Sequence, residues 1–239
     1  MKILSLESSA LAASAALWDD GKCVGLYLQN CGLTHSETLL PMAENLLKGC
    51  NVPLSEVDLI AVARGPGSFT GVRIGVATAK GLSWGLDKPC CGVSTLEAMA
   101  WQGAHLTGKL LCCCMDARRG QVYNALFRAG EAGPERLSED RAIALGELLP
   151  ELTEAPVLLG DGSELTAKAL AEAGLPFTLA PEPVRIQNAW GVALAAARTP
   201  REAWGEPEPV YLRLSQAERE RLAKLNNDHS HLLDKDKGE

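Results

Sequence analysis

ARGPGSFTGVRIGVATAKG (residues 63–81) places a glycine-rich turn between an apolar run, Asp58 to Ala63, and a segment with helical spacing from about Thr70 to Leu86. A buried strand leading through glycines into a helix is a setting in which free N–H groups at the helix start can hold an anion. The spacing nevertheless excludes the two common nucleotide loops. A Walker A loop counted from Gly65 puts Thr70 at its second glycine, and counted from Gly67 puts Val72 there. The Rossmann pattern fails because Gly71 falls one residue late. Phosphate contact at Gly65, Gly67 and Ser68 stays an expectation with an equally good alternative.

The helix beyond the turn supplies that alternative. At 100° per residue Gly71, Gly75, Thr78, Leu82 and Gly85 share a face, with Ile74 and Gly81 at its edge. Val72, Val76, Ala77 and Trp84 lie opposite, together with Arg73 and Lys80. Each interior glycine costs a helix about 0.8–1 kcal/mol relative to alanine, so several need the compensation of another backbone packed close. The residues leave open whether that backbone belongs to the same chain or to a partner.

Outward from this helix, the chain reads as two copies of one plan. Ile3–Glu7, Ala12–Trp18 and Cys23–Leu28 are short strands, the last two joined by an Asp-Asp-Gly turn. Thr34 and Glu37 have the spacing of a capping box, opening a helix in which Pro41 is expected to introduce a kink or a later start. Ser94 and Glu97 form a second capping-box candidate. Leu110–Met115 and Val122–Phe127 repeat the hairpin, and Glu7 to Gly21 and Asp116 to Gly130 span the same interval. Val157–Leu159 then leads into Gly160-Asp-Gly162, echoing Gly65 and Gly67. A helix near Asn188–Arg198, a proline-marked linker and a last strand at Val210–Leu214 follow, and the polar stretch from about Leu225 is expected to be disordered.

Composition narrows the function. With 239 residues and 46% hydrophobic content the chain can bury a substantial core. No apolar run approaches the ~18 residues of a transmembrane helix, and Glu7 interrupts any signal-peptide core, so a cytoplasmic protein without a membrane partner is expected. Of eight cysteines, Cys112–Cys114 are contiguous and Cys90–Cys91 adjacent, which reads as buried apolar filling rather than a disulfide framework. A net charge of −7 does not suit a protein that grips RNA alone.

Residues for chemistry are few. Glu7 and Asp116 end strands and could hold a metal or orient phosphate, but such acids more often cap turns. Ser8 and Ser9 admit phosphate contact or a plain turn. His35 sits at a helix start, His105 stands alone, and no His-x-x-x-His pair exists. Asp116-Ala-Arg-Arg-Gly120 is a charge cluster at a hairpin turn.

His35–Pro41, Arg64–Lys80, Gly92–Ala98, Asp116–Tyr123 and Tyr211–Arg213 together resemble the TsaB (YeaZ) family, from Met1 to about residue 221. The resemblance implies an α/β ASKHA (actin/hexokinase/Hsp70-like) fold of two ribonuclease-H-like lobes, residues 1–104 and 105–221, the last helix being one that can cross back, before a tail at 222–239. It implies a non-catalytic subunit that dimerizes with the catalytic subunit TsaD and supports threonylcarbamoyl transfer to N6 of adenosine 37 in ANN-decoding tRNAs. TsaE, an ATPase, is the further implied partner. A homodimer is implied when TsaD is absent, and tRNA contact only through the complex. No intrinsic cofactor is implied, although ATP or ADP is expected near the assembled interface.

In TsaD a His-x-x-x-His holds the metal. Those positions are Thr95 and Met99 here, so no metal ligand and no catalytic residue carries over. The implied interface takes His35, Leu39, Met42, Ala43 and Leu46 from one helix and Thr70, Gly71, Ile74, Gly75, Thr78 and Leu82 from the next. On that reading Gly75→Leu abolishes pairing while the chain stays folded. An independent ASKHA phosphotransferase using Gly65, Gly67, Gly160 and Gly162, or a metallopeptidase, are the competing readings.

Overall fold

The computed structural model describes residues 1–213. The expected tail, and Leu214 of the expected last strand, lie outside the described residues.

The first lobe starts with β1 (Lys2–Glu7), β2 (Ala13–Asp19) and β3 (Lys22–Gln29), an antiparallel meander. Asp20 and Gly21 turn the β2–β3 hairpin with φ of 42° and 91°, the left-handed pair that a two-residue loop requires. Then come α1 (His35–Gly49), β4 (Leu59–Ala63), α2 (Phe69–Leu86), β5 (Cys90–Val93) and α3 (Thr95–Gln102). The sheet order is β3-β2-β1-β4-β5, with β4 and β5 parallel to β1.

The second lobe repeats the plan with β6 (Leu110–Arg118), β7 (Gln121–Gly130), β8 (Gly133–Arg136), β9 (Arg141–Ala144), α4 (Leu145–Leu148), β10 (Val157–Leu159), α5 (Ser163–Glu172), β11 (Thr178–Leu179), α6 (Glu182–Arg185) and α7 (Ala189–Arg198). Its sheet order is β11-β10-β6-β7-β8, with β9 also paired to β7. An antiparallel meander followed by parallel strands, used twice, is the ASKHA architecture of two ribonuclease-H-like lobes.

Alternation along β1 and β4 divides the first lobe's core. Leu4, Leu6, Ile60 and Val62 pack with residues of α1 and α2, whereas Ile3, Leu59 and Ala61 pack with α7. α7 is held there by polar contacts: Ser5 Oγ donates to the Ala189 carbonyl at 2.7 Å, and Ala189 N–H donates to Ser14 Oγ at 2.8 Å. The last described α-helix therefore lies on the first lobe's sheet. Cys90, Cys91 and Cys112–Cys114 are buried, and burial pushes the Cys90 thiol up to about 12. Among the described residues, no helix is long and apolar enough to cross a membrane.

Three local expectations are corrected. Thr34 is the N-cap of α1, but its side chain makes no capping bond, so the box with Glu37 does not form. α1 starts at His35 and runs through Pro41 to Gly49, so the later start does not occur. Val210 and Tyr211 form no strand; Val210 N–H donates once, to the Arg64 carbonyl at 2.7 Å. The Ser94 cap does form, accepting from Glu97 N–H at 3.2 Å, while the Glu97 carboxylate turns to Arg136 instead of back to the helix start.

Candidate functional site: the two faces of a helix and the interlobe cleft

Ser68 caps α2 by accepting from Gly71 N–H at 3.3 Å, and Asp87 ends it in the left-handed conformation, φ 52°. Gly71, Val72, Gly75, Val76, Ala79 and Ser83 make its buried face. The glycines there are pressed onto the end of β1. A Cβ on Gly71 would run into the Ser8 carbonyl, and one on Gly75 would meet Ser8 Oγ at 2.5 Å and a Val62 methyl at 3.3 Å. Ser8 Oγ completes the seam by donating to the Gly71 carbonyl at 2.9 Å.

This corrects two of the expected interface residues. Gly71 and Gly75 receive their close backbone approach from their own lobe, and Gly75→Leu is a folding defect rather than a clean test of pairing. The same holds for α1: Leu39, Met42, Ala43 and Leu46 are all buried in the first lobe's core. His35 is half-buried, its Nε2 lying 2.7 Å from the Ala10 carbonyl, so it ties α1 to the β1–β2 connection.

The opposite face of α2 is open. Thr70, Arg73, Ala77, Gly81, Trp84 and Gly85 are exposed, and Ile74, Thr78 and Leu82 are half-buried beside them. A Cβ on Gly81 or Gly85 would meet nothing within 4 Å. Trp84 is 65% exposed yet held, its indole N–H donating to Glu206 at 2.9 Å and Lys80 lying 5.5 Å from its ring. At the other end Phe69 stacks on Tyr211 with centroids 4.5 Å apart, and Arg73 sits 4.0 Å over Phe69 while its Nε donates to the Tyr211 hydroxyl at 2.8 Å. The linker after α7 thus braces both ends of the open face. The sequence signal for this is the Tyr211-Leu-Arg213 triplet, but no local pattern reveals that Tyr211 meets Phe69 and Arg73 while Arg213 donates to the Ala117 carbonyl.

Between the lobes lies a cleft of about 370 Å³, lined in part by Ser9, Gly67, Ser68, Asp116, Arg118 and Asp161. Gly67 and Ser68 therefore face it. Gly65 does not line it: Gly65 is buried against Val210, whose carbonyl occupies the space a Cβ would need. Glu7 is fully buried beside the cleft, accepting from Ser9 N–H at 2.5 Å through one oxygen while the other has no partner among the described residues. Burial, with the Asp161 charge adding, pushes its carboxyl up to about 7. Asp116 is taken up by its own hairpin, accepting from Arg118 N–H at 2.7 Å. Thr95 and Met99 are fully buried, and among the described residues no three His, Cys, Asp or Glu side chains are placed to hold a metal. His105, in the turn just after α3, places its Nδ1 3.2 Å from the carbonyl of Gln102, the last residue of that helix.

The family model described as "TsaD: tRNA N6-adenosine threonylcarbamoyltransferase" matches residues 29–198. The chain is 38% identical over 168 residues to the tRNA threonylcarbamoyladenosine biosynthesis protein TsaB of Bacillus subtilis, covering 69% of this chain and 73% of that one. With the TsaB protein of Escherichia coli it shares 36% identity over 182 residues, 73% of this chain and 78% of the relative. Among solved structures it is similar to YeaZ from Pseudomonas aeruginosa at 28% identity, TM-score 0.71, over 88% of this chain and 99% of that one.

Proposed function

The chain belongs to the TsaB family of tRNA threonylcarbamoyladenosine biosynthesis proteins, and from that premise we propose that it is a non-catalytic subunit that pairs with TsaD through the open face of α2. The observation that carries the reading is the exposed pair Gly81 and Gly85 beside the exposed, braced Trp84. Each helix glycine costs about 0.8–1 kcal/mol against alanine, and no described residue offsets that at these two positions. Close approach of a second helix does, and an aromatic at the edge of such a contact supplies the anchor.

The pairing face is then Thr70, Arg73, Ile74, Ala77, Thr78, Gly81, Leu82, Trp84 and Gly85, with Leu40, Pro41 and Glu44 exposed on neighbouring α1. The absence of imidazole at Thr95 and Met99 supports a subunit that leaves the transfer chemistry to TsaD. Its acidic balance supports tRNA contact made mainly by the assembled complex. TsaE as a further partner is part of the same proposal. ATP or ADP at this chain would meet Gly67 and the N–H groups of Phe69 and Thr70 at the start of α2, which the Ser68 side chain leaves uncapped. The phosphotransferase reading draws no support from Gly160 and Gly162: a Cβ at Gly160 would strike the Cys114 carbonyl, and one at Gly162 the Met115 carbonyl carbon at 2.7 Å, so both serve packing.

Reconstitution tests the proposal. Threonylcarbamoyl transfer to tRNA by TsaD, TsaE and the threonylcarbamoyl-adenylate synthase should depend on this chain. An unchanged rate in its absence would sink the reading.

A further inference from the structure

Resting on the reading of the open face of α2 as a pairing surface, we propose that Arg73 sets which partner that face accepts. Its guanidinium is held ready to take a carboxylate of the partner protein through both Nη groups.

The setting begins in the sequence of the helix. The 18 residues of α2 contain no acid, in a chain of net charge −7. Its two cations, Arg73 and Lys80, are treated differently by the fold. Lys80 Nζ is engaged by Glu206 at 3.0 Å. Arg73 is exposed and forms no ion pair with a described carboxylate.

The contacts Arg73 does make hold it in one geometry. Its Cζ lies 4.0 Å from the Phe69 ring centre and 5.7 Å from that of Tyr211, and the two rings stack at 4.5 Å. Nε donates to the Tyr211 hydroxyl at 2.8 Å. Tyr211 is anchored through its neighbours: Val210 N–H donates to the Arg64 carbonyl at 2.7 Å, and Arg213 donates to the Ala117 carbonyl. One guanidinium face and one N–H are thereby satisfied, while the two Nη groups donate to no described residue. A mobile arginine would lose side-chain freedom on binding; here the ordering precedes the encounter.

Two parallel Nη donors match the geometry of a carboxylate or a phosphate. The surroundings favour the carboxylate of a protein. On this face the free cation stands alone beside Ile74, Ala77 and Leu82, and Lys80 is already paired, whereas a nucleic-acid backbone is gripped by several cations together. A partner lacking the acid would leave a desolvated, unpaired charge, so Arg73 rejects wrong partners as well as holding the right one. Arg73 and Gly81 are eight residues apart, about 12 Å along the axis, which puts the partner's acid roughly two helical turns from the residue that packs on Gly81.

Calorimetry of TsaD binding to full-chain variants, repeated over a salt series, tests this. Arg73→Gln should weaken binding at least about 30-fold and flatten its salt dependence, with thermal unfolding nearly unchanged. Arg73→Lys keeps the charge but loses the fork, so the salt dependence should return while affinity stays at least about fivefold below wild type. Tyr211→Phe keeps the stack and removes the acceptor of Nε. It should weaken binding about threefold on its own and add nothing beside Arg73→Gln. In the Arg73→Lys complex, a zero-length carbodiimide should link position 73 to an Asp or Glu of TsaD, read by mass spectrometry. Full affinity in Arg73→Gln, with binding lost in Gly81→Leu, would overturn the role of Arg73 and leave the pairing face standing. Full affinity in both would remove the face and the proposal together. Normal TsaD binding by Arg73→Gln with a loss of affinity for tRNA would assign the guanidinium to phosphate and overturn the proposal as well.

Discussion

Helix α2 carries two glycine pairs at the same four-residue spacing, Gly71/Gly75 and Gly81/Gly85, and they answer to different neighbours. The first pair lets the helix settle onto Ser8 and Val62, where an added Cβ has no room. The second pair faces open space, where an added Cβ touches nothing. One residue type at one spacing thus serves packing within the lobe at one end of the helix. At the other it leaves a smooth exposed strip beside Trp84. A glycine's role is set by what stands opposite it, and only the folded chain says what that is.

The strongest way to break the comparison is to fill the closed side. Gly71→Val drives a branched side chain into the Ser8 backbone carbonyl, which cannot move without disturbing β1. A loss of about 3 kcal/mol is expected in urea unfolding. A variant as stable as the wild type would mean that the seam is looser than its geometry.

Nearly as large is the effect of the carboxyl beneath the same seam. Glu7 is pushed from 4.5 to about 7 by burial, so the folded chain holds a proton that the unfolded chain releases. The stability this represents is fully present below about pH 4.5 and fades as pH rises through 7. Its size is about 3 kcal/mol if the whole shift is expressed. Glu7→Gln should flatten unfolding free energy between pH 5 and 8, and should be the more stable protein at pH 8. A wild type that gains stability over that window would reverse the sign.

The open side should respond the other way. Gly81→Ala adds a methyl into empty space and removes backbone freedom from the unfolded chain, so unfolding free energy should rise by about 0.5–1 kcal/mol. The smallest contrast concerns caps. Ser94→Ala should cost about 1 kcal/mol, since Ser94 accepts from Glu97 N–H and donates to Asp140, whereas Thr34→Ala should cost a few tenths at most.

The plan of the fold was legible because hairpins and strand–turn–helix units are local. The matched intervals from Glu7 to Gly21 and from Asp116 to Gly130 pointed to two lobes, and each sheet has the same strand order. What local pattern could not show is which distant segment meets a given face. Ser8 lies far from Gly71 in sequence, so the helical wheel grouped Gly75 with Gly85 although they look in different directions. For the same reason Leu39, Met42, Ala43 and Leu46, an apolar stripe that fits a partner as well as a core, turned out to be core. Thr34 and Glu37 had the spacing of a capping box but not the side-chain geometry. Val210 reads as strand because it is apolar, yet among the described residues its backbone bonds only to Arg64, and its carbonyl fills the space beside Gly65.

The most direct test of the open face is the affinity of TsaD for Gly81→Leu, measured by calorimetry beside the wild type, with unfolding curves for both. The expected result is a protein as stable as the wild type whose affinity for TsaD falls at least about 100-fold, the loss of close helix approach worth roughly 3 kcal/mol. Unchanged affinity in a folded Gly81→Leu chain would contradict the assignment of this face to the partner.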